Sequence, residues 1–190
     1  MALEYSIEAM APVSVIRREP RGMPRVGFQL EVPPEVERVD GAVVTCRERR
    51  EDGRTVGELE ASVFAAALVI DRDGILAEKA RDQLARETND AAAPALAVVL
   101  PGAAGFRADA VQRTALPYVH VFALAVPDIV DGGVLITIRS SSSDWPAAEH
   151  MLRSLRLITR HGKLAVAVEH DGHYANDNTS LLPVVVTRQR

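Results

Sequence analysis

Cys46 is the chain's one cysteine, so it can form neither an internal disulfide nor a cysteine-based zinc cage. Flanked by Thr45 and Arg47 in an expected strand, it reads as a small buried hydrophobe. Aromatic residues make up only 4% of the 190 residues, too few for the stacking platform that single-stranded nucleic acid needs, and the core must be filled by Val, Leu, Ile and Ala. Lysine is nearly missing: of 22 basic residues only Lys79 and Lys163 are lysines, a bias that reads as the codon composition of a GC-rich bacterial genome. The formal net charge is −4 and no block of basic residues occurs, which argues against nucleic acid as a partner. Long apolar runs are lacking too. Phe64 to Ile70 and Ala91 to Leu100 fall well short of the ~20 residues of a spanning helix, so an integral membrane protein is not expected. Met1 to Ile16 lacks the basic start, apolar run and cleavage site of a secretory signal, which gives a cytoplasmic protein as the expectation.

What is present is an ordinary globular composition, 47% hydrophobic and 25% charged, at a length that suits one core. Residues 1–25, with Pro12, Pro20, Pro24 and four arginines from Arg17 to Arg25, read as an N-terminal arm. Val26, Phe28, Leu30 and Val32 then alternate with Gly27, Gln29 and Glu31 as a half-buried strand ended by Pro33-Pro34. Ala42 to Arg49 and a long strand from Thr55 to about Ile70 flank the turn Glu51-Asp52-Gly53-Arg54. Asp71 to Gly74 supplies helix-start chemistry for Ile75 to Asn89, whose Ile75, Leu76, Ala80, Leu84 and Ala85 share one face. Strands are expected at Leu96 to Leu100, Phe106 to Gln112, Tyr118 to Val126 and Gly133 to Arg139, the last two being the most apolar and therefore central. Asp144 as N-cap and Pro146 in the first turn open a second helix ending near Arg156. Residues 159–190 form a C-terminal extension with expected strands at Lys163 to Glu169 and Leu181 to Thr187. The fold class is α+β, a central, mainly antiparallel sheet flanked by helices.

The opening "VGFQLEVP" and the closing "GGVLITIRSSSSDWPAAEHMLRSLRL", which ends in Ser154, Leu155 and Arg156, carry a resemblance in element order over residues 26–158. The chain resembles the group containing the photosystem II protein PsbP, the Ran-binding import factor Mog, the bacterial protein DcrB and the Eag chaperones of type VI secretion. That resemblance implies an α/β/α sandwich and a role in binding proteins, as adaptor, accessory subunit or chaperone. It implies no shared catalytic residues and no cofactor, and it is an analogy of fold rather than a functional warrant.

Chemistry-bearing residues are few. Glu169-His170-Asp171-Gly172-His173, with Asp177 nearby, is the densest set of candidate metal ligands, although His170 and His173 lack the i, i+4 spacing of helical zinc motifs. Ser140-Ser141-Ser142-Ser143-Asp144, with His120 or His150 as base, lacks the strained elbow a nucleophilic serine needs and reads as a polar loop before a capped helix. Gly102-Ala103-Ala104-Gly105 lacks the Lys-Ser/Thr of a phosphate loop and reads as a tight turn. Asn178-Thr179-Ser180 matches a glycosylation triplet without a secretion signal to support it. Trp145 and Phe64 are candidate partner contacts, with core packing as the alternative for Trp145. Val56 to Ile70 is either a central strand or one wall of a groove for a partner segment.

Three functional readings follow. The first is a non-enzymatic protein-binding module; its chaperone version, serving a secretion-system client, requires a solvent-facing apolar groove on the sheet. The second is a metal-dependent hydrolase built on His170, His173 and a nearby carboxylate. In the third, a structural subunit or homo-oligomer, the two terminal extensions add strands to neighbouring subunits.

Overall fold

The computed structural model describes residues 11–16, 27–39, 43–90, 92–126 and 132–158. Strand β1 (Ala11–Ile16) pairs with β2 (Gly27–Val32), whose other edge takes β10 (Arg156–Ile158), giving a small antiparallel sheet in the order β1-β2-β10. The remaining strands are β3 (Val36–Val39), β4 (Val44–Arg49), β5 (Thr55–Ala65), β6 (Ala95–Leu100), β7 (Ala103–Val111), β8 (Tyr118–Ala125) and β9 (Gly132–Ser140). They make a seven-stranded, wholly antiparallel sheet in the order β3-β4-β5-β9-β8-β7-β6. Two helices complete the fold, α1 (Arg72–Thr88) and α2 (Pro146–Ser154), and the class is α+β. No helix among the described residues is long and apolar enough to cross a membrane.

The period-2 pattern of the strands assigns each face of the large sheet its own cover. Val119, Val121 and Ala123 of β8, with Ala108 and Ala110 of β7, meet Leu76, Ala80 and Leu84 of α1. Alanine at these sheet positions lets the helix come close, and the i, i+4, i+8 spacing of its buried residues presents a single stripe. The opposite face, carrying Leu59, Phe122, Leu124, Ile136 and Ile138, lies under Phe28 and Leu30 of β2 and Met151 and Leu152 of α2. Strand β8 is thus buried along both faces from Val119 onward, which explains its unbroken apolar sequence.

Helix α1 starts as the sequence chemistry dictates: Asp71 Oδ1 accepts from the Gly74 amide at 3.0 Å. It ends where Asn89 turns left-handed at φ 60° and its N–H reaches the Ala85 carbonyl. Helix α2 differs from expectation. Trp145, not Asp144, is the residue whose carbonyl receives the first helical amides, from Ala148 at 3.0 Å and Glu149 at 3.3 Å. Pro146 occupies the first helical position, where the lack of an amide hydrogen costs nothing. The helix stops at Ser154, and Ser154 Oγ accepts from the Glu31 amide at 2.8 Å, tying α2 to β2.

Other differences lie in short strands. Ala11–Ile16, read as part of a loose arm, pairs along the whole of β2, because Val13 and Val15 alternate with Ser14 over too few residues to stand out and Pro12 masks the pattern. Strand β3 was hidden behind Pro33-Pro34, which was read as a stop; the chain turns there, with the Val36 amide on the Pro33 carbonyl, and resumes as a four-residue edge. The turn read at Gly102 to Gly105 is confined to Pro101-Gly102, and Ala103 already belongs to β7. The expected strands at Lys163 to Glu169 and Leu181 to Thr187 lie outside the described residues.

Trp145 fixes where α2 begins. Its ring lies on Gly57 of β5 so closely that a Cβ there would overlap the indole, and its Nε1–H donates to Glu48 Oε2 at 2.6 Å. Replacing Trp145 with Ala is expected to cost about 3–5 kcal/mol, and Gly57→Ala about 1–3 kcal/mol by overpacking. Urea unfolding followed by circular dichroism checks both; a Gly57→Ala midpoint equal to wild type would contradict the close contact.

Candidate functional site

The cover on the α1 face is incomplete. Helix α1 lies mainly over β7 and β8, and towards the β4–β5 turn the same face of β4, β5 and β9 carries Arg47, Glu58, Glu60 and Arg139, whereas Phe64 and Leu135 at the other end of β5 and β9 still pack against the α1 cluster. Antiparallel register puts Arg47 opposite Glu58 and Glu58 opposite Arg139, so the charges alternate across three neighbouring strands. Arg47 donates through Nε at 2.8 Å and NH2 at 2.5 Å to Glu58 Oε2, and Arg139 NH1 donates to Glu58 Oε1 at 3.0 Å. Arg139 then turns its other edge to α1, with Nε at 3.1 Å and NH2 at 2.6 Å from Glu87 Oε2. Gln83 holds the second oxygen of Glu87 at 2.7 Å. Burial works against the Arg139 charge, but the hydrogen bond and charge of Glu87, followed by Glu60 and Glu58, outweigh it, and the guanidinium holds its proton more firmly than usual. The network thereby fastens the C-terminal half of α1 to the part of the sheet it does not cover.

At the turn end of these strands the network opens into a cleft of about 840 Å³. Arg47, Arg50, Arg54 and Glu58 line it together with Val56, Leu116 and Ser141. The β4–β5 hairpin builds one wall: Gly53 at φ 80° makes the turn, and the Arg54 amide bonds to Asp52 Oδ1 at 2.9 Å. Of the three arginines only Arg47 is fully engaged. Arg54 sits 3.7 Å from Asp52 with its side chain 85% exposed, and Arg50 has no carboxylate partner among the described residues. The cleft therefore offers unbalanced positive charge beside a small apolar floor, a combination suited to a carboxylate-bearing ligand.

The residues singled out from sequence are placed as follows. Ser140 is buried, its Oγ donating to the Ser142 carbonyl at 2.7 Å, and the Asp144 amide donates to Ser142 Oγ at 3.2 Å, so the serine run closes on itself as a turn. His120 Nδ1 donates to Asp109 Oδ1 at 2.8 Å, while its Nε2 is buried with no hydrogen-bond partner among the described residues. His150 lies 3.6 Å from Glu31 beside a smaller cleft of about 370 Å³. Trp145 is only 4% exposed and belongs to the core, and Phe64 packs half-buried beside α1 with Lys79 Nζ 6.0 Å from its ring centre. His170, Asp171 and His173 lie outside the described residues. Among the described residues no three His, Cys, Asp or Glu side chains gather to hold a metal ion.

Sequence reading missed both the ionic network and the cleft. The signal was available: Thr45, Arg47 and Arg49 alternate in β4, Glu58 and Glu60 in β5, and Arg139 interrupts an apolar β9 on the same face.

Replacing Arg139 with Met leaves Glu58, Glu60 and Glu87 facing one another half-buried, and is expected to cost about 1–3 kcal/mol. The double variant Arg139→Met/Glu87→Gln should recover part of that loss in a double-mutant cycle, and additive losses would contradict the coupling. Burial pushes the Cys46 thiol up to about 11 against the opposing pull of Arg38. Its thiolate is therefore available only in the unfolded chain near pH 8, and labelling by a thiol reagent should proceed at the unfolding rate. Because the neutral thiol is favoured in the fold, this contribution to stability is complete below the unfolded value near 9 and declines as pH rises from there towards 11.

The chain matches no protein-family model, no curated protein and no solved structure.

Proposed function

We propose that this chain is a non-enzymatic protein-binding module of the PsbP-like, α/β/α kind, acting in the cytoplasm as an adaptor or accessory subunit. Its partner docks on the half of the sheet that α1 leaves uncovered. The observation that carries this reading is the cleft at the end of β4 and β5, where Arg50 has no carboxylate partner among the described residues and Arg54, 85% exposed, is only loosely held by Asp52 at 3.7 Å, next to Val56 and Leu116. The α/β/α part is supported by the placement of one helix on each face of the large sheet. A partner surface bearing Asp or Glu and a few apolar side chains fits this chemistry, with the arginines steering its approach.

A chaperone for apolar segments needs an apolar groove, and the uncovered sheet face among the described residues is ion-paired instead. The polar-partner form is therefore preferred to the chaperone form. The hydrolase reading rests on His170 and His173 and is carried by no geometry among the described residues.

Affinity capture from the source organism tests the proposal when wild type is compared with Arg50→Glu/Arg54→Glu. Both side chains are exposed, so the variant should melt as wild type does. Reversing the two charges is expected to weaken a stoichiometric partner by about thirtyfold, roughly 2 kcal/mol. Equal retention by the variant would remove the cleft from the account. A partner-free protein carrying stoichiometric metal would favour the hydrolase instead.

A further inference from the structure

The two ends of the seven-stranded sheet are built differently. Strand β3, at one end, has four residues, follows Pro33-Pro34, and exposes Glu37 and Arg38. These are devices that keep an edge from pairing with other chains. Strand β6, at the other end, is longer and has no exposed charge. Its six residues, Ala95-Leu96-Ala97-Val98-Val99-Leu100, carry no charge, no proline and no bulge, and they pair with β7 in unbroken register from Ala95↔Ala108 to Leu100↔Ala103. The outer side of β6 bears no strand among the described residues. Leu96 is 47% exposed and Ala97 is exposed as well. Helix α1 approaches the face of β6 but packs mainly on β7 and β8, and it leaves the outer backbone edge of β6 without a strand among the described residues.

We infer that β6 is a pairing edge and that its occupant is a second copy of the same strand, joined antiparallel about a twofold axis perpendicular to the sheet. Charge decides between a copy and a different partner. A strand with no charged side chain opposes no like charges when it meets itself, whereas the module's charged partner is better matched by the arginine cleft at the far side of the sheet. The twofold keeps each face of one sheet continuous with the same face of the other, so with Ala97 on the axis Leu96 of one copy faces Val98 of the other, on the α2 face they share with Leu100. Pro94 and Pro101 bracket the strand and confine the pairing to Ala95–Leu100. Six residues span about 20 Å, so the contact falls below the ~1,200 Å² of a standard interface and the dimer is weak and concentration-dependent.

Sedimentation velocity on the full chain, up to roughly 0.5 mM, tests this. Wild type is expected to shift from monomer to dimer with concentration, and Leu96→Lys/Ala97→Lys to remain monomeric with an unchanged circular dichroism spectrum. Ala97→Cys should be trapped as a covalent dimer on mild oxidation, since Cys46 is buried and does not compete. A wild-type protein that stays monomeric throughout overturns the inference. Association that survives the two lysines also overturns it, because a different surface would then be responsible.

Discussion

Width is the constraint on which the rest of this structure depends. Seven strands at about 4.8 Å spacing make a sheet roughly 30 Å across, while a helix is about 10 Å wide, so one helix on a face covers two or three strands. The chain places one long helix on one face, over β7 and β8. On the other face α2 shares the work with the small β1-β2-β10 sheet, and that wider cover reaches from Leu100 at the end of β6 to Val36 in β3, with Trp145 sealed against Gly57 of β5. The remaining patch, the α1 face of β4, β5 and β9, cannot be apolar and open to water at once. It is filled with alternating charges instead.

Those charges follow one another in series. Glu87 anchors Arg139, Arg139 and Arg47 share Glu58, and the series runs out at Arg50, which has no carboxylate partner among the described residues, and at the exposed Arg54, loosely held by Asp52. A patch that begins as a solution to a covering problem thus ends as a surface with a sign and a shape. That places the recognition chemistry on the hairpin between β4 and β5 rather than on the histidines or the tryptophan that draw attention in the sequence. His120 is held by Asp109 inside the fold and Trp145 is packed in the core.

Much of the fold was legible because its determinants are local. Phe28, Leu30 and Val32 alternate cleanly, Asp71 caps α1 through its own side chain, and the unbroken apolar run of β8 announces a strand buried on both faces. What escaped depends on neighbours distant in sequence. Strand β1 exists because β2 has a free edge, and β3 because β4 does; neither six nor four residues carry enough periodicity alone. The α2 start was misplaced by one residue because Asp144 has the better capping chemistry while Trp145 has the packing, and packing prevailed. The ionic network needs the strand order β4-β5-β9 before Arg47, Glu58 and Arg139 can be seen as neighbours, and that order is not written in any one segment.

The most direct test of the central claim is amide hydrogen exchange on the protein alone and in complex with the partner it captures. The account predicts new protection concentrated in the β4–β5 hairpin around Arg50 to Thr55 and in the facing loop at Ala115 and Leu116. Protection confined to the outer surface of α1 or to the small sheet, with the hairpin unchanged, would contradict it.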